Sequence, residues 1–323
     1  MEQRRLGATG VDVTRVILGC GNFGGVGSAP AFFGQGESEE EAFALMDAAW
    51  DLGVRTFDTA DAYGGGRSEA WIGLWQAMHG RRPVLATKVF NSVTGDPADR
   101  GLSRERILRQ LEGSLEWLGV ERVDLYLIHA PDPDVPLEET LGAFDELVRA
   151  GKVGAIGASN VDRAYLEEAL AISEREGLVQ FEWVQNSYSL LEREAEDGVL
   201  PFCREHGLGF TPFSPLAGGW LTGKYARGQS YPAGSRMAQR PEPYEDFDDP
   251  RVWNGLERFG QAAAERSVDM ATLAFAWLFP SPDVTAVVVG PRRPDHLEPA
   301  RRALELELTP AERDEIARYF EPL

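Results

Sequence analysis

The stretch Thr56-Phe57-Asp58-Thr59-Ala60-Asp61-Ala62-Tyr63, followed by Gly64-Gly65-Gly66, decides how the rest of the chain is interpreted. Its first residues are typical of a short buried strand, which the three glycines cannot continue. The pattern places Asp58 at the end of the strand and Tyr63 in the loop beyond it. Because burying a polar group without a partner costs roughly 2 to 7 kcal/mol, both side chains need partners. Taken alone, the stretch favours a helix-capping Asp58 and a half-buried core Tyr63.

Outward from this stretch, short apolar runs alternate with segments of helical periodicity. Strands are predicted at residues 16–18, 55–57, 84–87, 123–128, 153–156, 182–184, 208–211 and 284–289. Helices are predicted at residues 38–52, 103–118, 137–150, 165–176 and 195–205, and a last one at 310–320 on the outside of the fold. The first of these opens with Ser38 and Glu41, the pattern of a capping box.

Eight strands that alternate with helices imply parallel pairing through right-handed crossovers, in a closed barrel or an open sheet. An open dinucleotide fold places Gly-x-Gly-x-x-Gly directly between its first strand and first helix. Here Cys20-Gly21-Asn22-Phe23-Gly24-Gly25 is separated from that helix by the loop 29–36. We therefore predict an α/β fold, a single (β/α)8 TIM barrel domain over residues 1–323. An N-terminal β-hairpin at residues 4–14 and a long loop after strand 7, residues 216–250, complete it.

The composition limits the classes of partner and cofactor. A net charge of −20 over 323 residues argues against nucleic acid and anionic membranes, so an anionic cofactor would need a local basic cluster. Cys20 and Cys203, the two cysteines, have no metal-ligand spacing, so neither a zinc site nor a disulfide framework is expected. The amino terminus lacks an apolar leader, and the most apolar run, 270–279, is shorter than the ~18 residues of a membrane span. We expect a cytoplasmic protein.

Ionisable side chains end three neighbouring strands. Asp58 and then Tyr63 follow the second strand, Lys88 ends the third and His129 ends the fourth. In a parallel barrel these strand ends gather at one face, where active sites lie. Each residue alone has a commoner structural explanation. Lysine, however, occurs only at positions 88, 152 and 224, so Lys88 stands out in a chain whose other cations are arginines.

Together these four side chains suggest delivery of a proton to a carbonyl oxygen. An adjacent ammonium lowers the pKa of a phenol, and a carboxylate keeps that ammonium charged and oriented. His129 could donate a hydrogen bond to the same oxygen. Because the sequence offers no cysteine, serine–histidine pair or metal cluster to attack the carbon, hydride from a bound nicotinamide is the natural complement.

The chain resembles the aldo-keto reductases. Asp58, Tyr63, Lys88 and His129 match the family's catalytic tetrad in type, order and approximate spacing. The resemblance continues through Gly157-Ala158-Ser159-Asn160, Gln185-Asn186, Phe213-Ser214-Pro215-Leu216-Ala217-Gly218-Gly219 and Val289-Gly290-Pro291-Arg292-Arg293. It is strongest to bacterial members with a long loop, which are related to potassium-channel β subunits.

The resemblance implies NADPH/NADP+ as the cofactor. It implies that Ser159, Asn160 and Gln185 hold the nicotinamide carboxamide and that Phe213 stacks on the ring. The remaining implied contacts are Gly21, Asn22, Ser214, Pro215, Leu216, Gly218, Lys224, Arg236, Gly290, Arg292 and His296. Among these, Arg292 would face the adenosine 2′-phosphate, with Arg293 beside it as a candidate. Relatives carry a Gln and a Glu-Asn pair where this chain has His296, Pro299 and Ala300, so the adenine end departs from the pattern.

The leading prediction is an NADPH-dependent carbonyl reductase with Tyr63 as the general acid. Two alternatives stay open: a cofactor-binding regulatory subunit of the channel-β type, and a keto-sugar reductase of secondary metabolism. We expect a small-molecule carbonyl substrate, no nucleic acid or membrane partner, no metal, and a monomer or homo-oligomer. The predicted substrate contacts are Phe23, Phe33, Tyr63, His129 and Trp220.

Overall fold

Eight parallel strands form the centre of the protein, which is described here from a computed structural model over residues 1–320. A two-stranded antiparallel hairpin, β1 (Gln3–Arg5) and β2 (Asp12–Thr14), precedes them. The sheet runs in the order β10-β3-β4-β5-β6-β7-β8-β9. Its strands are β3 (Val16–Gly19), β4 (Thr56–Asp58), β5 (Val84–Val89), β6 (Val123–Ile128), β7 (Val153–Ser159), β8 (Trp183–Gln185), β9 (Gly209–Phe210) and β10 (Val287–Val289).

Backbone hydrogen bonds join the two ends of the sheet. The amide of Thr285 donates to the carbonyl of Phe210, and that of Val288 to the carbonyl of Pro212, both at 2.9 Å. These bonds link the β9 and β10 segments, so the sheet curls into a (β/α)8 barrel. The predicted fold class, including the N-terminal hairpin, is confirmed.

Helices cover the outside of the barrel. They are α1 (Glu39–Asp51), α2 (Arg67–His79), α3 (Arg104–Leu118), α4 (Leu137–Arg149), α5 (Arg163–Glu176), α6 (Val199–His206), α7 (Arg236–Gln239), α8 (Pro250–Glu265), α9 (Met270–Leu278), α10 (Glu298–Ala303) and α11 (Pro310–Ala317). The predicted capping box is present: the Ser38 hydroxyl accepts from the Glu41 amide, and the Glu41 carboxylate accepts from the Ser38 amide.

Five of these helices, α2, α7, α8, α9 and α10, are not among the sequence predictions. Signals for α8 exist: Asp249 caps it, Pro250 occupies its first turn, and buried apolar residues recur along one face. The segment predicted as one helix at 195–205 divides into a 3-10 turn, Glu194–Asp197, and α6, because Gly198 interrupts the helical backbone. The barrel strands also begin or end up to three residues from their predicted limits.

The hairpin closes one end of the barrel. Leu6 is fully buried, and a Cβ built on Gly209 would lie 2.5 Å from its side chain, so only glycine fits beneath it. Leu6 and Val13 join an interior cluster with Ile17, Leu125 and Trp183. The amino ends of the strands are therefore plugged, which leaves the carboxyl ends as the open face. Among residues 1–320, no helix has the length and apolar character needed to span a bilayer.

Candidate active site

A lysine–carboxylate pair lies where β4 and β5 end. Lys88 Nζ donates to Asp58 Oδ1 at 2.6 Å, to the Thr59 carbonyl at 2.9 Å and to the Tyr63 hydroxyl at 3.3 Å. Lys88 is 0% exposed and Asp58 2%. All three ammonium donors therefore have protein acceptors, as a buried charge requires. Asp58 does not cap α2, which begins after Gly66.

Burial and neighbouring charges shift the pKa values of Lys88 and Tyr63. Burial lowers the pKa of Lys88, but attraction to Asp58 and Tyr63 outweighs it, so the net pKa is raised. Burial raises the pKa of Tyr63 and dominates over the opposing effect of Lys88. Lys88 thus acts in the predicted direction, yet the phenol keeps its proton more firmly than a free tyrosine does. The result is a neutral phenol beside a fixed ammonium.

His129 follows β6 and faces Tyr63. Its Nε2 lies 3.5 Å from the Tyr63 hydroxyl, and the two rings meet edge to face with centroids 5.4 Å apart. Burial, followed by the charge of Lys88, lowers the pKa of His129 to about 3, so the imidazole is neutral. Among residues 1–320 its Nδ1 has no hydrogen-bond partner. The long contacts leave the Tyr63 hydroxyl free to turn towards a ligand.

Amide and hydroxyl groups at the ends of β7 and β8 continue the network. Gln185 Nε2 donates to Asp58 Oδ2 at 2.7 Å, and the Ser159 hydroxyl donates to the Gln185 carbonyl at 2.7 Å. Asn160 Nδ2 donates to the His129 carbonyl at 2.8 Å. Because a carboxylate only accepts, Gln185 must turn its NH2 group to Asp58 and its amide oxygen elsewhere. Five strand ends are thereby connected through side chains.

A group of three cations, Lys224, Arg236 and Arg292, lies beside this network and is called the cation cluster below. Desolvation and the charges of Arg292 and Arg236 lower the pKa of Lys224. The pKa of Arg236 is also lowered, because burial and like charges outweigh the attraction of nearby acidic groups. Within the described part of the chain, no carboxylate forms an ion pair with either of these two. Among residues 1–320, Arg236 donates only to the Asn22 side chain, at 3.2 Å. Such unneutralised positive charge is typical of an anion site.

Strained backbone lines the same region. Outside glycine, positive φ angles occur at Asn160 (58°), Ser214 (53°), Ala217 (46°) and Ser267 (55°), and the first three are at or next to predicted cofactor contacts. Backbone strain of this kind costs about 1 to 3 kcal/mol per residue and concentrates at functional sites. The ring of Tyr244 lies where a Cβ on Gly218 would be, 2.6 Å away, so glycine is required there.

The long loop lies across the first loop of the barrel. The Tyr244 hydroxyl is 2.9 Å from the Ser214 hydroxyl, and Arg240 donates to the Val26 carbonyl at 3.3 Å. The Arg240–Val26 bond and the Arg236–Asn22 contact join the segment after β9 to the segment after β3, and the Tyr244–Ser214 bond ties the long loop to its own beginning. The predicted loop at 216–250 is therefore ordered structure that contains α7 and carries two of the three residues of the cation cluster, Lys224 and Arg236.

The other predicted residues fall into two groups. The first group lies near the network. A Cβ built on Gly21 would touch the Tyr63 ring at 3.6 Å, and one built on Gly65 would lie 3.1 Å from the Phe33 ring. Phe213 is half-buried after β9. Towards the cation cluster, the His296 Nδ1 accepts from the Arg292 amide at 3.3 Å. Arg293 is exposed and pairs with Asp295, so it does not join the cluster. Pro215 and Leu216 precede the 3-10 turn Ala217–Thr222 that holds Gly218, and Gly290 is exposed after β10.

Phe23 and Trp220 are exceptions. Both are 0% exposed, so neither predicted substrate contact is accessible to a substrate in this structure. Trp220 packs against Trp253 and Tyr225, with ring centroids 4.9 and 5.3 Å apart. The reason is that the residues after Trp220 fold back and build an aromatic core of their own, which takes up the side chain. We leave both residues out of the site.

Sequence reasoning also missed residues that belong here. Glu37 pairs with Arg292, Gln239 accepts from Arg292, and Tyr244 covers Gly218. The richness of the long loop in aromatic residues was the one available signal for Tyr244. Nothing in the local sequence marks Glu37, since it lies in an acidic segment whose other members are exposed. Among residues 1–320, no three His, Cys, Asp or Glu side chains converge on a possible metal position.

Comparison with known proteins relates the chain to one family. The model of the Aldo/keto reductase family matches residues 15–320. The chain is 40% identical to an uncharacterized oxidoreductase, YrpG, of Bacillus subtilis, over 95% of this chain and 92% of that protein.

It is 36% identical to a probable voltage-gated potassium channel subunit beta of rice, Oryza sativa, over 98% and 95% of the two chains. It is 32% identical to the versiconal hemiacetal acetate reductase of Aspergillus parasiticus, over 97% and 95%. A match of this extent leaves no segment of the barrel outside the family model, and the chain therefore belongs to the aldo/keto reductase family.

Proposed function

We propose that this protein is an NADPH-dependent oxidoreductase that reduces an aldehyde or ketone to an alcohol, with Tyr63 as the general acid. The observation that carries the proposal is the position of the Tyr63 hydroxyl between Lys88 Nζ and His129 Nε2, at 3.3 and 3.5 Å. We further propose a single domain over the whole chain, acting in the cytoplasm as a monomer or homo-oligomer on small carbonyl compounds.

The residues around the network fit a nicotinamide dinucleotide. The cation cluster offers positive charge that carboxylates do not neutralise at Lys224 and Arg236. The turn Ala217–Thr222, which holds Gly218, would lie along the pyrophosphate. Ser159, Asn160 and the amide oxygen of Gln185 would hold the carboxamide, and Phe213 would stack on the ring. When bound, the cofactor supplies the hydride that reduces the carbonyl carbon.

Preference for NADPH is proposed from Arg292. A guanidinium has planar N–H donors that suit phosphate oxygens, and the Nη2 donors of Arg292 have no protein partner among residues 1–320. Arg292 lies next to His296, whose Nδ1 accepts from the Arg292 amide. This leaves Nε2–H of the imidazole as a donor that could replace the glutamine of relatives.

Proton delivery follows from the charges. Tyr63 keeps its proton until a substrate oxygen gains negative charge, and Lys88, fixed by Asp58, then stabilises the phenolate that remains. His129 is neutral at physiological pH because its pKa is about 3, so it can orient a carbonyl oxygen through an N–H without exchanging a proton. We expect the rate to show no ionisation of His129 between pH 5 and 8.

The direct test is Tyr63→Phe, which keeps the ring and removes the acid. Turnover, followed as loss of NADPH absorbance against aldehydes, ketones, quinones, pyridoxal and keto-sugars, should fall by about 10²- to 10⁴-fold. Binding of NADPH should change little. Tyr319→Phe is the control, because Tyr319 bonds Glu315 on the surface. Undiminished reduction by Tyr63→Phe contradicts the mechanism, and a clear NADH preference contradicts the role of Arg292.

A second candidate is a cofactor-binding subunit of a membrane channel. The observation that favours it is the 36% identity to the rice protein, whose name describes a channel subunit. Negligible turnover over the whole carbonyl panel, combined with tight cofactor binding and a stable complex with a channel, would establish this alternative.

A further inference from the structure

A buried carboxylate faces the arginine that we assign to the 2′-phosphate. Arg292 Nε donates to Glu37 Oε1 at 3.0 Å. Glu37 is 4% exposed, and its other oxygen, Oε2, has no hydrogen-bond partner within residues 1–320. Burial raises the pKa of Glu37, and Arg292 opposes that rise. Of the three residues in the cation cluster, Arg292 is thus the one already paired with an acid.

Glu37 cannot move away from this position. Its amide donates to the Asn22 carbonyl at 2.9 Å, and its carbonyl accepts from the Gly24 amide at 3.0 Å. These bonds fix its backbone to the loop that follows β3. The carboxylate that pairs with Arg292 is therefore held at the place where we propose that the 2′-phosphate binds.

Arg292 does not depend on Glu37 for its orientation. Its Nη1 also donates to the Gly234 carbonyl and, at 3.1 Å, to Gln239 Oε1. Both acceptors belong to the long loop and are uncharged. With two further contacts holding the guanidinium, the main effect left to Glu37 is electrostatic: it offsets the charge of Arg292.

We propose that Glu37 is a specificity-determining residue that weakens binding of the 2′-phosphorylated cofactor and so allows NADH to be used as well. This inference rests on the proposed function and deepens it. A 2′-phosphate is repelled by the unpartnered Glu37 oxygen, whereas the uncharged 2′-hydroxyl of NADH is not. Glu37 therefore reduces the difference in affinity between NADPH and NADH that Arg292 produces.

The test is Glu37→Gln, which keeps an oxygen for Arg292 Nε and removes the charge. Dissociation constants for NADP+ and NAD+ are measured by tryptophan fluorescence, without any substrate. We expect NADP+ to bind about tenfold more tightly in the variant, since a like charge nearby is worth on the order of this factor in a partly solvated site. NAD+ should change less than about twofold.

Two comparisons isolate the effect. Glu39→Gln removes the same charge from an exposed position in the first turn of α1 and should leave the ratio of the two constants unchanged. Arg292→Gln should weaken NADP+ and leave NAD+ unaltered. Because the Arg292 side chain is 37% exposed and can be hydrated, Glu37→Gln should fold normally, which circular dichroism checks.

The outcomes distinguish failure of the role of Glu37 from failure of the proposed function. An unchanged NADP+ to NAD+ ratio in Glu37→Gln, or weaker NADP+ binding, overturns the inference and leaves the proposed function standing. A wild-type protein that binds neither dinucleotide overturns the proposed function and the inference with it.

Discussion

Two lysines show how differently the two halves of the site are built. Lys88 is fully buried, and each of its three donors has an acceptor. Lys224 is exposed, forms no ion pair among residues 1–320, and has neighbours of its own sign. The pKa is raised at Lys88 and lowered at Lys224. The charge of Lys88 is balanced by the protein itself, whereas we propose that the charge of Lys224 is balanced by a bound anion.

Because of this difference, we expect Lys88 to affect folding stability and Lys224 to affect ligand affinity. Removing one member of a buried, balanced pair leaves an uncompensated charge inside the protein, and folding suffers. Removing one member of a group of like charges relieves repulsion, so that ligand affinity suffers instead. The same kind of substitution should therefore have opposite consequences at the two lysines.

Lys88→Met tests the balanced side and should have the largest effect on stability. The variant leaves Asp58 buried without its cation, and we expect a loss of about 3 to 5 kcal/mol in the free energy of unfolding, measured by urea denaturation. Lys152→Met is the matched control, because Lys152 pairs with Glu112 at the surface and contributes at most about 1 kcal/mol. Equal losses in the two variants would contradict the distinction.

Glu69→Gln tests a buried acid that has no cation as a direct partner. Burial raises the pKa of Glu69 to about 7, against the opposing effects of Thr87, Ser114 and Lys88. The unfolded chain releases this proton near pH 4.5, so the folded state loses stability as pH rises from there to about 7. The neutral variant lacks this loss and should gain about 3 kcal/mol over wild type between pH 4 and pH 8. Parallel stability curves for the two proteins would contradict the assignment.

Lys224→Met tests the unbalanced side and should have the smallest effect of the three. We expect binding of NADPH to weaken about tenfold, which corresponds to about 1.4 kcal/mol. Unfolding without cofactor should be unchanged or slightly harder, because repulsion from Arg236 and Arg292 is relieved. A clear loss of stability without cofactor would show that Lys224 is balanced after all, and the contrast with Lys88 would disappear.

The pattern of predicted strands was enough to predict most of the fold and the central residues of the site. Asp58, Lys88 and His129 each end a predicted strand, and the rule that parallel strands end at one face was enough to bring them together. Lys88 and Tyr63 are indeed in contact, although their roles stay predictions until variants are measured. The net direction of the Tyr63 pKa could not be foreseen, because it depends on the depth of burial.

Residues of the long loops were the hardest to place. Trp220 is a large aromatic residue in a loop, which is typical of a pocket. Its side chain instead packs against Trp253 and Tyr225, which follow it in sequence. Glu37 meets Arg292 across 255 residues. No periodicity links such positions, since loop pairings depend on tertiary packing alone.

The hydrogen bond from Gln185 to Asp58 has a stereochemical consequence. Its NH2 group is engaged at 2.7 Å, and rotating the amide by half a turn would set two oxygens against each other. A carboxamide docked here thus meets an acceptor in one fixed place, which permits one orientation of the nicotinamide about its glycosidic bond. We expect transfer of only one of the two prochiral hydrogens of the dihydronicotinamide. Deuterium placed on a single face of the dihydronicotinamide would then be either wholly passed to the alcohol or wholly retained.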